Sequence, residues 1–374
     1  MRKITLLFAL LLAFVGMAKA QNVSDELYKT TPGVEYKVSE TGGTQYFYYL
    51  RNSQFTSFLG AYSLGLMSPD VSSAKKYCIM ASSNGFTIHL VNDDGTTSNK
   101  KIQAVGPPKL WLTEDNPYGT YDFTFEKVDA EGSISYLLKA VGSNTRDLKA
   151  PSANDVSGAG YYGTASASDK AYVWQFIPAN DAAKEAAGWP KVTMLPGDAT
   201  HGNLTTFSST KDVVCPNDYQ VFKATYAENS LNLEEVADRV IPANTGVILK
   251  GSEGSFFMVP NATENTLTSA LTPTGEEGKL VNEGENIYGL GLLDGTLGFY
   301  KVNKNTKIGA GKAYLASSQG GSAIALNFGG TTTGVHSVSA STANHAPVFD
   351  LSGRRVQSVV KGGVYIQNGK KFIK

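Results

Sequence analysis

Cys78-Ile79-Met80, Phe123-Thr124-Phe125 and Trp174-Gln175-Phe176 decide how this chain is read. Each is an apolar or aromatic run with the two-residue alternation of a strand. The three recur after 45 and then 51 positions, within the range that marks an internal repeat. Working outward, each unit opens on another apolar strand: Tyr48-Tyr49-Leu50, Phe86-Thr87-Ile88-His89-Leu90 and Tyr136-Leu137-Leu138. A short strand with a leucine follows in each, at Phe58-Leu59-Gly60, Leu110-Trp111-Leu112 and Asp147-Leu148. Three such units can close on one another and leave no sheet edge exposed. The repeat equates Cys78 with Phe123 and Trp174, which makes it an inward-facing thiol, unpaired with the distant Cys215.

The rest of the chain keeps the same all-β rhythm. Gly, Ser, Thr, Asn and Asp clusters interrupt it roughly every ten residues, with Tyr, Phe, Val, Ile and Thr between them. One helix is expected, over Asn180 to Ala187, capped by Asn180 or Asp181 and stopped at Gly188 before Pro190. It divides a first β-domain, 21–179, from a second, 191–329, so 180–190 reads as a short helical linker. In the second domain Ile241-Pro242-Ala243-Asn244-Thr245-Gly246-Val247-Ile248-Leu249 is echoed 67 positions later by Ile308-Gly309-Ala310-Gly311-Lys312-Ala313-Tyr314-Leu315. Two related halves predict the facing sheets of a β-sandwich. Residues 330–346 lose all periodicity and read as a flexible linker. A tail, 347–374, follows with hairpin character.

The threefold pattern over about residues 33–179 resembles the β-trefoil of ricin-type lectins, in which each repeat ends on a strand with an apolar pair two residues apart. The family's Gln-x-Trp is replaced here by Trp174-Gln175-Phe176. The second domain, with Asn286-Ile287-Tyr288-Gly289-Leu290 and Gly298-Phe299-Tyr300-Lys301-Val302, is similar to a β-module of exported Bacteroidota proteins. The tail resembles the C-terminal sorting domain of type IX secretion in a shortened form. The residues that carry this likeness are Asp350, Gly353, Arg354 and Arg355, then Gly363 and Tyr365, then Lys370 and Lys371. That resemblance implies recognition by a secretion machinery; the residues by themselves describe only a terminal hairpin.

Export is also expected from the other end. Arg2 and Lys3 precede an apolar run from Ile4 to Val15, and Ala18-Lys19-Ala20 supplies a cleavage site, so 1–20 reads as a signal peptide cut after Ala20. Nothing downstream has the ~18 to 20 consecutive apolar residues of a transmembrane helix. Cleavage turns a balanced chain into one of net charge −3, with +5 in the tail from Ala346 onward and −8 in the body. An acidic body argues against nucleic acid as a partner.

Recognisable catalytic chemistry is missing from the sequence. The four histidines, His89, His201, His336 and His345, have neither His nor Cys at metal-ligand spacing, and neither H-E-x-x-H nor G-x-S-x-G occurs. Gly289 to Gly295 reads as a hairpin turning at Asp294-Gly295, and Asn92-Asp93-Asp94-Gly95 as a turn rather than a calcium loop. No metal, cofactor or catalytic residue is therefore assigned. What stands out is aromatic content, 19 Tyr and 17 Phe. In Lys109-Leu110-Trp111-Leu112-Thr113, alternation sets Trp111 against its flanking leucines, next to Asp115, Asn116 and Tyr118. A flat ring beside carboxylate and amide groups suits a sugar. The expectation is a noncatalytic secreted or cell-surface protein that reads a glycan through Trp111, Asp115, Asn116 and Tyr118. The alternatives are an adhesin or structural surface protein that recognises protein, and a trefoil-type protease inhibitor.

Overall fold

The computed structural model describes residues 27–60, 67–104, 110–114, 120–130, 132–142, 147–150, 160–161, 164–261, 265–318 and 321–328, with short stretches between 348 and 373. One compact unit ends at Phe328 and a second begins at Gly329. In both, the regular structure of the described residues is almost entirely β-strand.

Among the described residues, twelve strands arise before residue 179. They are β1 (Phe47–Asn52), β2 (Phe58–Leu59), β3 (Met67–Ser68), β4 (Lys76–Ser82), β5 (Gly85–Val91), β6 (Thr97–Ala104), β7 (Leu110–Thr113), β8 (Phe123–Ala130), β9 (Ser133–Ala140), β10 (Leu148–Lys149), β11 (Gly160–Tyr161) and β12 (Val173–Pro178). Antiparallel pairing closes six of them into a ring. β1 pairs with β4, β4 with β5, β5 with β8, β8 with β9, β9 with β12, and β12 returns to β1. The other six form the pairs β2–β3, β6–β7 and β10–β11. Each consecutive set of four strands thus gives its outer two to the ring and its middle two to a hairpin.

The repeat exists, with two corrections to its register. Tyr77 and Ile79 are fully buried in the core that also holds Phe123, Trp174 and Phe176, whereas Cys78 is buried on the other face of β4 with Phe47 and Val91. Tyr77, not Cys78, is the counterpart of Phe123 and Trp174, because alternation sends neighbours to opposite faces. Both thiols are free and buried, and burial pushes that of Cys215 up to about 12. The second correction concerns Leu110-Trp111-Leu112, which forms the third strand of its unit. The equivalent of Leu59 and Leu148 is Ile102 on β6, buried in the same core. Thr97-Ser98-Asn99-Lys100-Lys101 ahead of Ile102 hides that strand in the sequence.

Aromatic rings fill the barrel. Tyr36 plugs it, with ring centroids 5.0 Å from Phe125, 5.2 Å from Tyr136, 5.4 Å from Phe176 and 5.5 Å from Phe86. The strap that carries Tyr36 enters past Gly33, where a Cβ would lie 2.3 Å from the Ile134 carbonyl oxygen. Upstream, a helical turn over 27–30 is fastened by Arg51. The Arg51 guanidinium, 4% exposed, donates to the carbonyls of Tyr28 and Lys29 (2.5 Å each), to that of Thr31 (2.7 Å), and through Nε and Nη2 to Gln175 Oε1 (2.9 and 2.6 Å). Burial lowers its pKa to about 10. The carbonyl end of a helical turn carries partial negative charge, so these acceptors suit a buried cation.

The expected helix forms as α1 (Asp181–Ala186). Asn180 caps it by accepting from Ala183 N at 3.1 Å, and Gly188 leaves it at φ +69°, a conformation that favours glycine. This segment is packed rather than free. Ala183 is buried in the barrel core, and Trp189 is buried among Phe257, Val259, Leu27 and Tyr28.

Beyond it, ten strands form one continuous order: Leu195–Asp198, Gly202–Phe207, Val247–Gly251, Gln220–Ala227, Ser230–Glu235, Ala323–Phe328, Thr296–Lys301, Ile287–Leu293, Ala313–Ala316 and Thr272–Pro273. The 67-residue echo is a duplication. Val240–Ile241 with Val247–Gly251 recurs as Lys307–Ile308 with Ala313–Ala316, and Asn244 (φ +58°) has Gly311 (φ +68°) as its counterpart. The facing halves belong to one curled sheet, joined where Ser230–Glu235 pairs in parallel with Ala323–Phe328, and both halves supply one core. Gly246 and Ala313, equivalent in the two copies, touch: a Cβ at 246 would lie 2.8 Å from that of Ala313. Each sheet edge carries a proline, Pro196 or Pro273, which blunts further pairing. Asp294 (φ +50°) and Gly295 (φ +75°) make the expected hairpin turn. In the second unit the hairpin Val364–Gln367 with Lys370–Ile373 is part of a four-stranded sheet that also holds Val348–Asp350 and Arg355–Val356.

Two outcomes test this account. Arg51→Met strands several buried carbonyls, each worth about 1–3 kcal/mol when unsatisfied, so urea unfolding should show a loss of about 3 kcal/mol or more and limited proteolysis should cut near residue 30. Asp198 accepts the Leu297 amide at 2.7 Å, together with the imidazole and the amide of His201, and these bonds hold its carboxyl well below the usual range. A depressed pKa contributes stability above the unfolded-state value and loses it as pH falls. The stability gap between the native chain and Asp198→Asn should therefore be constant above about pH 5 and shrink below about pH 4.

Candidate functional site

Tyr49 alternates with the core residues Tyr48 and Leu50, so its ring lies on the outer wall of the barrel. Two other rings fix it edge-on: Tyr28 at a centroid distance of 6.0 Å and Phe58 at 6.1 Å. Partial burial raises its pKa, and its hydroxyl has no hydrogen-bond partner among the described residues. The ring lines a cleft of about 650 Å³ together with Lys75, Lys76, Asn92 and Asp93. Lys75 Nζ donates to Asp93 Oδ1 at 2.8 Å, while the Asp93 side chain remains 92% exposed. A held aromatic surface thus sits beside an oriented carboxylate, an amide and a second cation.

This cleft adjoins the turn between β5 and β6. As read from the sequence, Asn92 to Gly95 form a turn: Asp94 Oδ1 accepts from Thr96 N at 2.9 Å and from its hydroxyl at 2.6 Å, and Gly95 has φ +82°. Two further clefts, of about 430 and 630 Å³, share Thr97, Ser98 and Asn99 on the other side of the turn. His89 lines the larger, its Nδ1 3.0 Å from the Ser98 carbonyl and its Nε2 3.0 Å from the Thr87 hydroxyl. Burial lowers its pKa, against the opposing pull of the Ser98 carbonyl, and the nearby Lys101 charge lowers it further.

Register sets Trp111 of β7 opposite Gln103 of β6. Leu112 packs against the core with Ile102. Around this pair of strands lies a polar network. The Thr113 hydroxyl lies 3.0 Å from Gln103 Oε1 and 2.8 Å from the Tyr121 hydroxyl, and Lys101 Nζ stands 4.8 Å from the centre of the Tyr121 ring. Asp115, Asn116 and Tyr118 lie outside the described residues, as do Ala18, Ala20, Gly353, Arg354 and Gly363. Of the other tail residues, Asp350 pairs with Tyr365, Arg355 with Phe349, Lys371 with Ile366 and Lys370 with Gln367.

The carboxylate–imidazole pair Asp198–His201 invites a catalytic reading. Asp198, however, also takes the amides of Thr200, His201 and Leu297, so it ties a turn to a strand. Among the described residues no group of three or more His, Cys, Asp or Glu is placed to share a metal ion, and no helix is long and apolar enough to cross a membrane. No protein-family model matches the sequence, and no curated protein matches it.

Tyr49 was open to the alternation argument that singled out Trp111, but Tyr48-Tyr49-Leu50 reads first as a run of apolar residues. Because its hydroxyl is unpartnered, Tyr49→Phe should leave the melting curve within the equivalent of ~0.5 kcal/mol of the native chain. A larger fall would reveal a structural role for that hydroxyl.

Proposed function

We propose that the chain is a noncatalytic, secreted or cell-surface protein that binds a glycan through its barrel. The observation that carries this reading is the outer wall of β1 beside the turn between β5 and β6, where Tyr49 is held edge-on and shares a cleft of sugar-binding size with Asp93, Asn92 and Lys76. On the neighbouring strands the partly exposed Thr113 and Tyr121, near the position of Trp111 in sequence, support a second contact. The ring of six strands with three hairpins supports assignment to the β-trefoil, a scaffold that leaves its loops free for recognition. The tail's likeness to a secretion sorting domain and the signal-like start support export.

Aromatic anchors dominate binding energy when they stack on a ligand. Trp111→Ala and Tyr49→Ala are compared with the native chain on a glycan array and by thermal melting. Each should lose most of the array signal, and Trp111→Ala should cost no more than ~0.5 kcal/mol of stability. Native-level binding by both variants, or a Trp111→Ala loss in the ~3 to 5 kcal/mol range of a core tryptophan, would remove these residues from the site.

A further inference from the structure

The duplication in the second module builds a cleft of its own. Both copies of the turn, Asn244 in the first and Gly311 in the second, line a cavity of about 380 Å³, with the loops that follow Gly202–Phe207 and Thr272–Pro273. The copies are laced across it. Ser208 N donates to Gly311 O at 2.9 Å, the Ser208 hydroxyl to Lys312 O at 2.6 Å, and Ala313 N to the Thr206 hydroxyl at 3.2 Å. The cavity therefore sits on the seam between the repeats, and its walls are fixed before a ligand arrives.

The copies differ at the charge. Where the first has Thr245, the second has Lys312, a half-buried residue whose Nζ donates to the hydroxyl of the fully buried Thr205 at 2.8 Å. Burial lowers its pKa. Lys312 enters no ion pair among the described residues, and neither does Lys211 at the rim. A cation drawn out of water is normally paired, because its desolvation is otherwise uncompensated. Glu276, the one carboxylate among the lining residues, takes the Thr210 hydroxyl at 3.0 Å instead.

We propose that this seam cleft binds an acidic sugar, with Lys312 and Lys211 answering its carboxylate and the Ser209, Thr210 and Asn244 side chains facing its hydroxyls. Pro190 and Pro273, both partly exposed, offer apolar surface for one face of the ring. An extended peptide fits less well. It would add to a sheet edge, and the adjoining edge strand, Thr272–Pro273, is blocked by its proline. The site is separate from the barrel clefts, so either can fail without the other.

The test titrates the full chain with glucuronate, with glucose as the neutral counterpart and a short N-acetylated peptide with a free terminal carboxylate, following amide NMR shifts and melting temperature. Glucuronate should bind and raise the melting temperature, and glucose should not. Lys312→Met should keep or raise the ligand-free melting temperature while it weakens glucuronate about tenfold or more, the scale of one charged hydrogen bond. Lys211→Ala, a rim substitution that spares the fold, should weaken it several-fold, and Glu276→Gln, which removes a repelling charge, should strengthen it. Equal binding of glucose and glucuronate, peptide binding in place of sugar, or unchanged affinity in both lysine variants would overturn the proposal.

Discussion

The barrel depends on how one cation is satisfied. Arg51 projects from β1 into a site where no carboxylate among the described residues pairs with it, and its donors are met by three carbonyls of the strap and by the Gln175 side-chain oxygen. A guanidinium suits this role because its planar fork can address several acceptors at once, where an ammonium would reach fewer. The bonds fasten residues 28–31 to strands β1 and β12, the two that close the ring. From there Gly33 lets the strap pass over Ile134 and Gln175, and Tyr36 drops into the barrel among four other rings. Tyr28 leaves the same turn to pack on both Tyr49 and Trp189. A single buried charge thereby orients the barrel plug, the aromatic wall of the candidate site and the contact with the second module.

Repetition organises both modules, and in each the features of the proposed sites fall where the repeats depart from one another. The hairpin of the second barrel unit is long and polar, whereas those of the first and third contain strands of two residues. In the second module the duplicated turn holds threonine in one copy and lysine in the other. Core positions tolerate little such divergence, since Tyr77, Phe123 and Trp174 must fill equivalent volumes inside a closed ring. Surface hairpins and turns are free of that restraint.

Much of this was legible before any coordinates. Strand alternation, the capping asparagine at 180, the glycine at 188 and the Asp294-Gly295 turn follow local rules, and local rules can be read from local sequence. The failures share a cause in long-range packing. Cys78 and Tyr77 are both apolar, so only the partner strands reveal which one faces the barrel. Ile102 is a lone apolar side chain after a polar run, and its burial follows from hairpin geometry. The many aromatic residues suggested a binding surface, yet in the first module most of the described ones pack into the barrel core. Arg51 looked like the polar end of a strand; its role depends on residues 20 positions before it and 124 after it.

Ring closure also sets an order in time. β1 cannot complete its pairing until β12 exists, because Tyr48 lies opposite Pro178 and Asn52 opposite Trp174. Such distant partners carry a high loop-closure cost and slow folding. During synthesis the strap and β1 emerge first but lack the surfaces that would hold them, so the first module stays open until nearly its whole length is available. Under the export proposed above, that delay would leave the chain threadable while the last strand is still missing.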